Sequence, residues 1–292
     1  MSERARATAE GTAGYAERFG GKTAPSHFRK LAGLTVGSIG FGTYLGRHED
    51  DVDAAYEKAL IAALRLGCNH IDTAINYRCM RSEKAVGRAL AKLFEDGLFS
   101  REEIVVATKG GYIPFDGEPP ANIRAFIRSS YIDPGIVEEE GLVGGCHAMT
   151  PRFLEKQITK SLDNLRLDTI DLYYLHNPEV HRAVLPKSVF LDRMKRAFAF
   201  LEEETARGRI ARYGVSSWEA FRAEPSSPVY LSIEELVDLA SRTGGKGHHF
   251  AAIQFPFNAV MMEAYALVSQ EIGGESVSAV DAAGRFGISV TA

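Results

Sequence analysis

Along this chain, short runs rich in β-branched and aromatic residues alternate with longer stretches in which apolar residues recur at helical spacing. Residues 69–72, 103–109, 170–176, 210–215 and 251–255 have the length and composition of buried strands. Residues 35–42 form another such run, with Val36, Ile39 and Phe41 among Gly37, Gly40 and Gly42, and residues 287–292 form a last one. Between them, residues 52–66 place Ala55, Ala59, Ala62, Ala63 and Leu66 on one helical face before a stop at Gly67. Residues 82–94 do the same with Val86, Leu90 and Leu93, with Ser82 as the expected N-cap. Residues 151–166 carry Phe153, Ile158, Leu162 and Leu165 behind a first-turn proline, residues 194–206 end at Gly208, and residues 277–286 read as a short helix. Strands separated by helices predict the α/β class with a parallel sheet, and seven strands can be counted.

The polar residues that end these runs carry the candidate chemistry. Asp72 closes the run 69–72 and Tyr77 follows five residues later; Lys109 closes 103–109; His176 closes 170–176. A buried carboxylate needs a partner, and a phenol with an ordinary pKa near ~10 needs help to part with its proton, so one lysine serves both. Taken singly, each has a bland reading: Asp72 and Lys109 an internal ion pair, Tyr77 a packed phenol, His176 a satisfied imidazole. Four of them at the exits of three successive strands favour a site. Further polar residues close other runs, with Gly42-Thr43-Tyr44 after the first, Ser216-Ser217 after 210–215, and Gln254 and Asn258 around the end of 251–255.

Composition narrows the partners. A chain of 292 residues with 45% hydrophobic and 25% charged residues fits one globular domain, and a formal net charge of -4 argues against nucleic acid or an anionic membrane as partner. Cys68, Cys79 and Cys146 form no C-x-x-C pair, which points away from a disulfide framework or a cysteine zinc site and towards a reducing, cytoplasmic setting. No metal is expected, since Cys146 and His147 lack a third ligand at metal spacing.

The strings D-T-A-x-x-Y at 72–77, V-V-A-T-K at 105–109 and S-L-D-N-L-R-L-D-T-I-D-L-Y-Y-L-H at 161–176 resemble those of the aldo-keto reductases, whose tetrad is an Asp, a Tyr, a Lys and a His in this order. The resemblance implies a (β/α)8 TIM barrel and an NADP(H)-dependent carbonyl reductase or alcohol dehydrogenase, with NAD as a possible substitute. The substrate would be a small aldehyde, ketone or sugar-like carbonyl. It gives Tyr77 the role of general acid/base, Lys109 paired with Asp72 the tuning of the phenol, and His176 the orientation of the carbonyl. It places Gly42, Thr43, Tyr44 and Asp72 beside the nicotinamide, and Ser216, Ser217 and Gln254 at its carboxamide, with Ser217 where the family usually has Asn. Arg78 stands where the family usually has Gly. The alternative is a nicotinamide-binding regulatory or redox-sensing subunit with the reductase fold and little turnover. No G-x-G-x-x-G follows a strand, and none is needed, because this family binds its dinucleotide across the barrel mouth.

Three segments lie outside that plan. Residues 1–26 are small and polar and read as a mobile tail before a barrel of residues 27–292. Residues 110–150 form a long Gly- and Pro-containing insertion that leaves a site-bearing strand, which suggests a lid over substrate or cofactor that shapes substrate choice. With seven strands where a closed barrel has eight, the chain reads as incomplete at its C-terminus, lacking the last strand and the residues expected to hold the adenosine phosphate.

Overall fold

The computed structural model describes residues 4–292. A first helix, α1 (Ala9–Arg18), leads to the hairpin β1 (Phe28–Leu31) and β2 (Leu34–Gly37), and then to β3 (Phe41–Gly42). Strands and helices then alternate: α2 (Asp50–Leu64), β4 (His70–Asp72), α3 (Arg81–Glu95), β5 (Val105–Gly110), the short α4 (Ile123–Ile127), α5 (Pro151–Leu165) and β6 (Leu172–His176). The rest is α6 (Glu179–Arg182), α7 (Lys187–Ala206), β7 (Tyr213–Ser216), α8 (Ile233–Gly244), β8 (Phe250–Gln254), α9 (Glu263–Ala266), the hairpin β9 (Gln270–Ile272) and β10 (Glu275–Val277), α10 (Ala279–Arg285) and β11 (Ser289–Thr291). Seven strands form one sheet in the order β3-β4-β5-β6-β7-β8-β11, every neighbouring pair parallel. Within this sheet the strands follow one another in chain order, as successive βα units predict, and the sheet curls around an inner face.

Period-2 alternation divides the strand residues between two surroundings. Ile71, Val106, Tyr173, Leu175, Val215 and Ile253 face the helices, where they join Leu90, Leu154, Ile158, Phe198, Leu201 and Leu236 in the main core. Val105, Ala107, Leu172, Tyr174 and Ala252 face inward and pack on Leu31, Leu34 and Val36 of the β1–β2 hairpin, which plugs the base. Gly214 makes room for this inner layer, since a Cβ there would stand 2.8 Å from the Tyr174 ring and 2.3 Å from the Ala252 carbonyl oxygen.

Several expectations are corrected. The run 35–42 is not one strand: residues up to Gly37 pair antiparallel with β1, while Phe41–Gly42 pair with β4. The break comes where the Gly37 N–H donates to the Asn69 side chain (3.0 Å) and Ser38 N–H to the His27 carbonyl (2.6 Å), which turns the chain out of the hairpin. Ser82 does not cap α3; the N-cap position is Met80, and the Ser82 hydroxyl donates to the Thr43 carbonyl instead. Nor is the segment 4–26 a loose tail. Thr8 caps α1 by accepting from Gly11 N–H, Ala7 N–H donates to Asp171, and the fully buried Tyr15 hydroxyl donates to the Leu64 carbonyl at 2.5 Å. Residues 1–3 of that expectation lie outside the described residues. The insertion 110–150 folds around a small core of its own, in which Ile113, Ile127, Tyr131, Val137 and Ala148 meet Phe153 of α5. Among the described residues, no helix is long and apolar enough to cross a membrane.

Candidate active site

The inward-facing rows of β4 to β8 all end in polar residues. His70 leads to Asp72, Val105 and Ala107 to Lys109, Leu172 and Tyr174 to His176, Gly214 to Ser216, and Ala252 to Gln254. Register puts His176, Ser216 and Gln254 side by side across three strands. The alternation that buries the inner layer therefore lifts these groups together at the C-terminal end of the sheet, where Asp72, His176, Ser216 and Gln254 line a cavity of about 680 Å³ with Gly42, Tyr77, Asn177, Ser217 and Trp218, and Lys109 lies buried behind Asp72 and Tyr77.

A continuous chain of hydrogen bonds crosses that end. The Ser216 hydroxyl donates to Gln254 Oε1 (2.8 Å), Gln254 Nε2 to Asp72 Oδ2 (2.9 Å), and Lys109 Nζ to Asp72 Oδ1 (2.5 Å). Lys109 spends its other protons on the Thr73 carbonyl (2.9 Å) and the Tyr77 phenol oxygen (3.2 Å). All three ammonium donors are thus satisfied inside the protein, and the phenolic proton is left free to point elsewhere. Burial lowers the Lys109 pKa, but Asp72 and Tyr77 outweigh it, so the ammonium stays charged with a pKa above its ordinary value. Tyr77 departs from the sequence expectation. Burial raises its pKa more than the Lys109 charge lowers it, and the phenol ends above its usual value. At neutral pH it is a protonated donor.

His176 is buried, and burial followed by the Lys109 charge holds it well below the ordinary histidine value, so its ring is neutral. Its ring lies edge-on to Tyr77, with centroids 5.8 Å apart, and to Tyr112, 5.2 Å apart. Tyr44 is exposed and stands edge-on to Tyr77 at 5.0 Å, but it is not among the residues lining the cavity. The expected cofactor contacts divide into two sets. Ser216 and Gln254 offer a hydroxyl and an amide on the cavity, and Gly42 has open space where a side chain would project. Thr43 and Ser217 are committed to the protein: Thr43 donates to Thr73 Oγ1 (2.8 Å), and Ser217 Oγ accepts from Ala220 N–H (2.8 Å). Asn258 accepts from Val260 N–H within its own turn.

Arg78, where glycine was expected, adopts φ 48°, followed by Cys79 at 54° and Met80 at 65°. A left-handed turn of three side-chain-bearing residues is strained, and it is held by the Arg78 guanidinium, which donates to the Arg47 carbonyl and to Asp53 (2.6 Å). Sequence reading missed Glu179 and Asn177. Glu179, its pKa raised by burial, accepts from the Trp218 and Glu219 N–H groups, and Asn177 at φ 50° also accepts from Trp218 N–H. Together they fix the turn carrying Trp218 at the cavity mouth. A buried acid just beyond the His176 strand was the available signal. No residue of 110–150 lines this cavity; the insertion meets the site from behind instead, through Tyr112 and His147 against His176.

Residues 38–241 match the aldo/keto reductase family. The chain belongs to that family. D-threo-aldose 1-dehydrogenase of a Pseudomonas species is 28% identical over 194 residues, which cover 64% of this chain and 51% of that protein. The NADP-dependent D-sorbitol-6-phosphate dehydrogenase of Malus domestica is 28% identical over 203 residues, covering 65% and 51%. This aldo/keto reductase chain thus spans about half the length of both relatives. The glycerol dehydrogenase structure from Gluconobacter oxydans superposes with a TM-score of 0.57 at 21% identity, over 91% of this chain and 63% of that one, and shares its fold.

Proposed function

We propose that this chain carries the site of an NADPH-dependent carbonyl reductase acting on aldehydes, ketones or sugar-like carbonyls, with Tyr77 as the general acid. The observation that carries this reading is the unbroken chain of hydrogen bonds from Ser216 through Gln254, Asp72 and Lys109 to the Tyr77 phenol. A nicotinamide dinucleotide, when bound, supplies the hydride that no side chain can deliver. Its carboxamide needs a donor and an acceptor, and the Ser216 and Gln254 pair offers both on the cavity wall.

The residues then divide the work. As a carbonyl oxygen gathers negative charge, Tyr77 hands it the phenolic proton, and the adjacent Lys109 ammonium stabilises the phenolate left behind. Neutral His176 orients the carbonyl as a hydrogen-bonding neighbour without adding a second positive charge beside Lys109. Asp72 holds Lys109 in place, and Gln254 holds Asp72. NADPH in preference to NADH, and a sugar-like carbonyl among substrates, draw on the printed activities of the two enzyme relatives. The test follows NADPH and NADH oxidation with small aldehydes, ketones and aldoses while dinucleotide binding is measured by fluorescence. Turnover with at least one aldehyde or aldose, and tighter binding of NADPH, are expected. Binding of neither dinucleotide would overturn the assignment, and binding without turnover would favour a redox-sensing subunit.

A further inference from the structure

The insertion that lines no part of the cavity nevertheless touches the back of His176. It leaves β5 at Gly110 and returns through Val143 and His147, whose backbone groups pair with each other, before entering α5. His147 is buried, and its Nε2 lies 2.6 Å from the His176 carbonyl oxygen. A carbonyl only accepts, so His147 carries its proton on Nε2. Its Nδ1 must then accept, and it does so from His181 Nε2 of α6 at 2.9 Å. His181 Nδ1 in turn accepts from Arg193 Nη1 of α7 at 3.0 Å, while the same guanidinium donates to the Glu140 and Gly141 carbonyls of the insertion. Every donor and acceptor in this row runs in one direction, from α7 to the end of β6.

Two features show that the close approach is built. Gly111 sits at φ 146°, and a Cβ there would lie 2.4 Å from His147 Nε2 and 3.1 Å from the His176 carbonyl oxygen. Only glycine leaves room for that bond. Tyr112 packs edge-on to both rings, 4.8 Å from His147 and 5.2 Å from His176, and is itself held by Asn177 Nδ2, which donates to its hydroxyl (3.2 Å). His176 needs such support, because its own Nδ1 is buried without a partner.

We infer that His147 is a positioning residue for His176: through one imidazole–carbonyl hydrogen bond, kept in one tautomer by His181 and Arg193, the insertion sets where the His176 ring meets the substrate carbonyl. This rests on the carbonyl-reductase reading. A lid would act on substrate affinity, whereas a misplaced orienting ring acts on the chemical step, where a small displacement is costly.

The test compares His147→Phe with His147→Gln, whose amide keeps a donor where the imidazole N–H stands. His147→Phe lowers kcat about tenfold with KM within about twofold, and His147→Gln restores most of the rate. Long-range 1H–15N spectra of the unmutated protein show His147 and His181 both neutral and protonated on Nε2, whether or not turnover is detected. An unaltered kcat in a folded His147→Phe protein, equal damage in both variants, or the opposite tautomer in either ring would overturn the inference. Should His147→Phe fail to fold, Arg193→Met at the far end of the row reports instead. It lowers kcat about threefold at constant KM, and an unchanged kcat overturns the inference. Absence of turnover in the unmutated protein, with the expected tautomers, would count against the reductase reading alone.

Discussion

The strand ends and the insertion reach the same histidine by opposite means. In β4 to β8, pairing and alternation do the positioning, and each polar group stands at the top of an apolar inner row. Over residues 110–150 there is little regular structure, and positioning falls to side chains: Gln157 holds Gly111 N–H and the Tyr112 carbonyl, Asn177 holds Tyr112, and His147 holds His176. Regular pairing places the reacting groups from below, and the insertion fixes one of them from behind. The contrast predicts that damage to the strand ends abolishes chemistry and damage to the insertion tunes or destabilises it.

The largest effect belongs to Lys109→Met. It removes the charge beside Tyr77 and leaves Asp72 with Gln254 alone, so carbonyl reduction falls by about 10²–10⁴. Because a buried partner is lost, unfolding free energy falls too, by about 3–5 kcal/mol. Steady-state kinetics with a chemical melt separates the two, and near-normal turnover would break the strand-end half of the comparison.

Next is Tyr131→Ala in the core of the insertion, where the ring packs on Phe126 and Phe153 and under the Lys156 ammonium. Removing it costs about 3–5 kcal/mol. The ranking of large and small carbonyl substrates stays as it was, because this core lies away from the cavity. A changed ranking at unchanged stability would favour a lid.

Acid tests the histidine row. Burial lowers the His147 pKa to about 4 and the His181 pKa to about 3, so both rings are neutral in the fold. Their folded values lie below the unfolded value near ~6.5, so the unfolded chain takes up protons first as pH falls. Their contribution is fully present above about pH 6.5 and is lost as pH drops towards 4 and then 3. Thermal midpoints measured from pH 7 to 4.5 fall less steeply in His147→Gln than in the unmutated protein. Parallel slopes would show that His147 is not held neutral by the fold.

The strand ends were legible because runs such as Val105–Val106–Ala107 announce burial on both faces, and Lys109 and His176 stand out against them. Pairing between distant segments was not legible. Tyr15 lies in a polar stretch and is buried by what it meets, the Leu64 carbonyl and Phe99, rather than by its neighbours in sequence. Strand β2 reads as continuous with β3 because Gly37 and Gly40 fall within one run, and the turn between them depends on Asn69 and His27. Helix α8 is absent from the sequence expectation, although Ile233, Leu236 and Ala240 are all buried at helical spacing. In the sequence His147 suggests only a metal ligand, since its real partners, His181 and the His176 carbonyl, are 34 and 29 residues away. The net rise in the Tyr77 pKa also depends on depth of burial, which charges in the sequence do not report.

The most direct test of the central claim, that the polar top layer of the sheet is a proton-donating site built on Tyr77, is a single-turnover measurement of carbonyl reduction by Tyr77→Phe with NADPH binding followed in the same sample. The phenol acts on the developing alkoxide and holds no part of the Ser216–Gln254 pair, so the reduction rate falls by about 10²–10⁴ while NADPH affinity changes less than about twofold. Reduction at close to the unmutated rate, with NADPH bound as before, would contradict it.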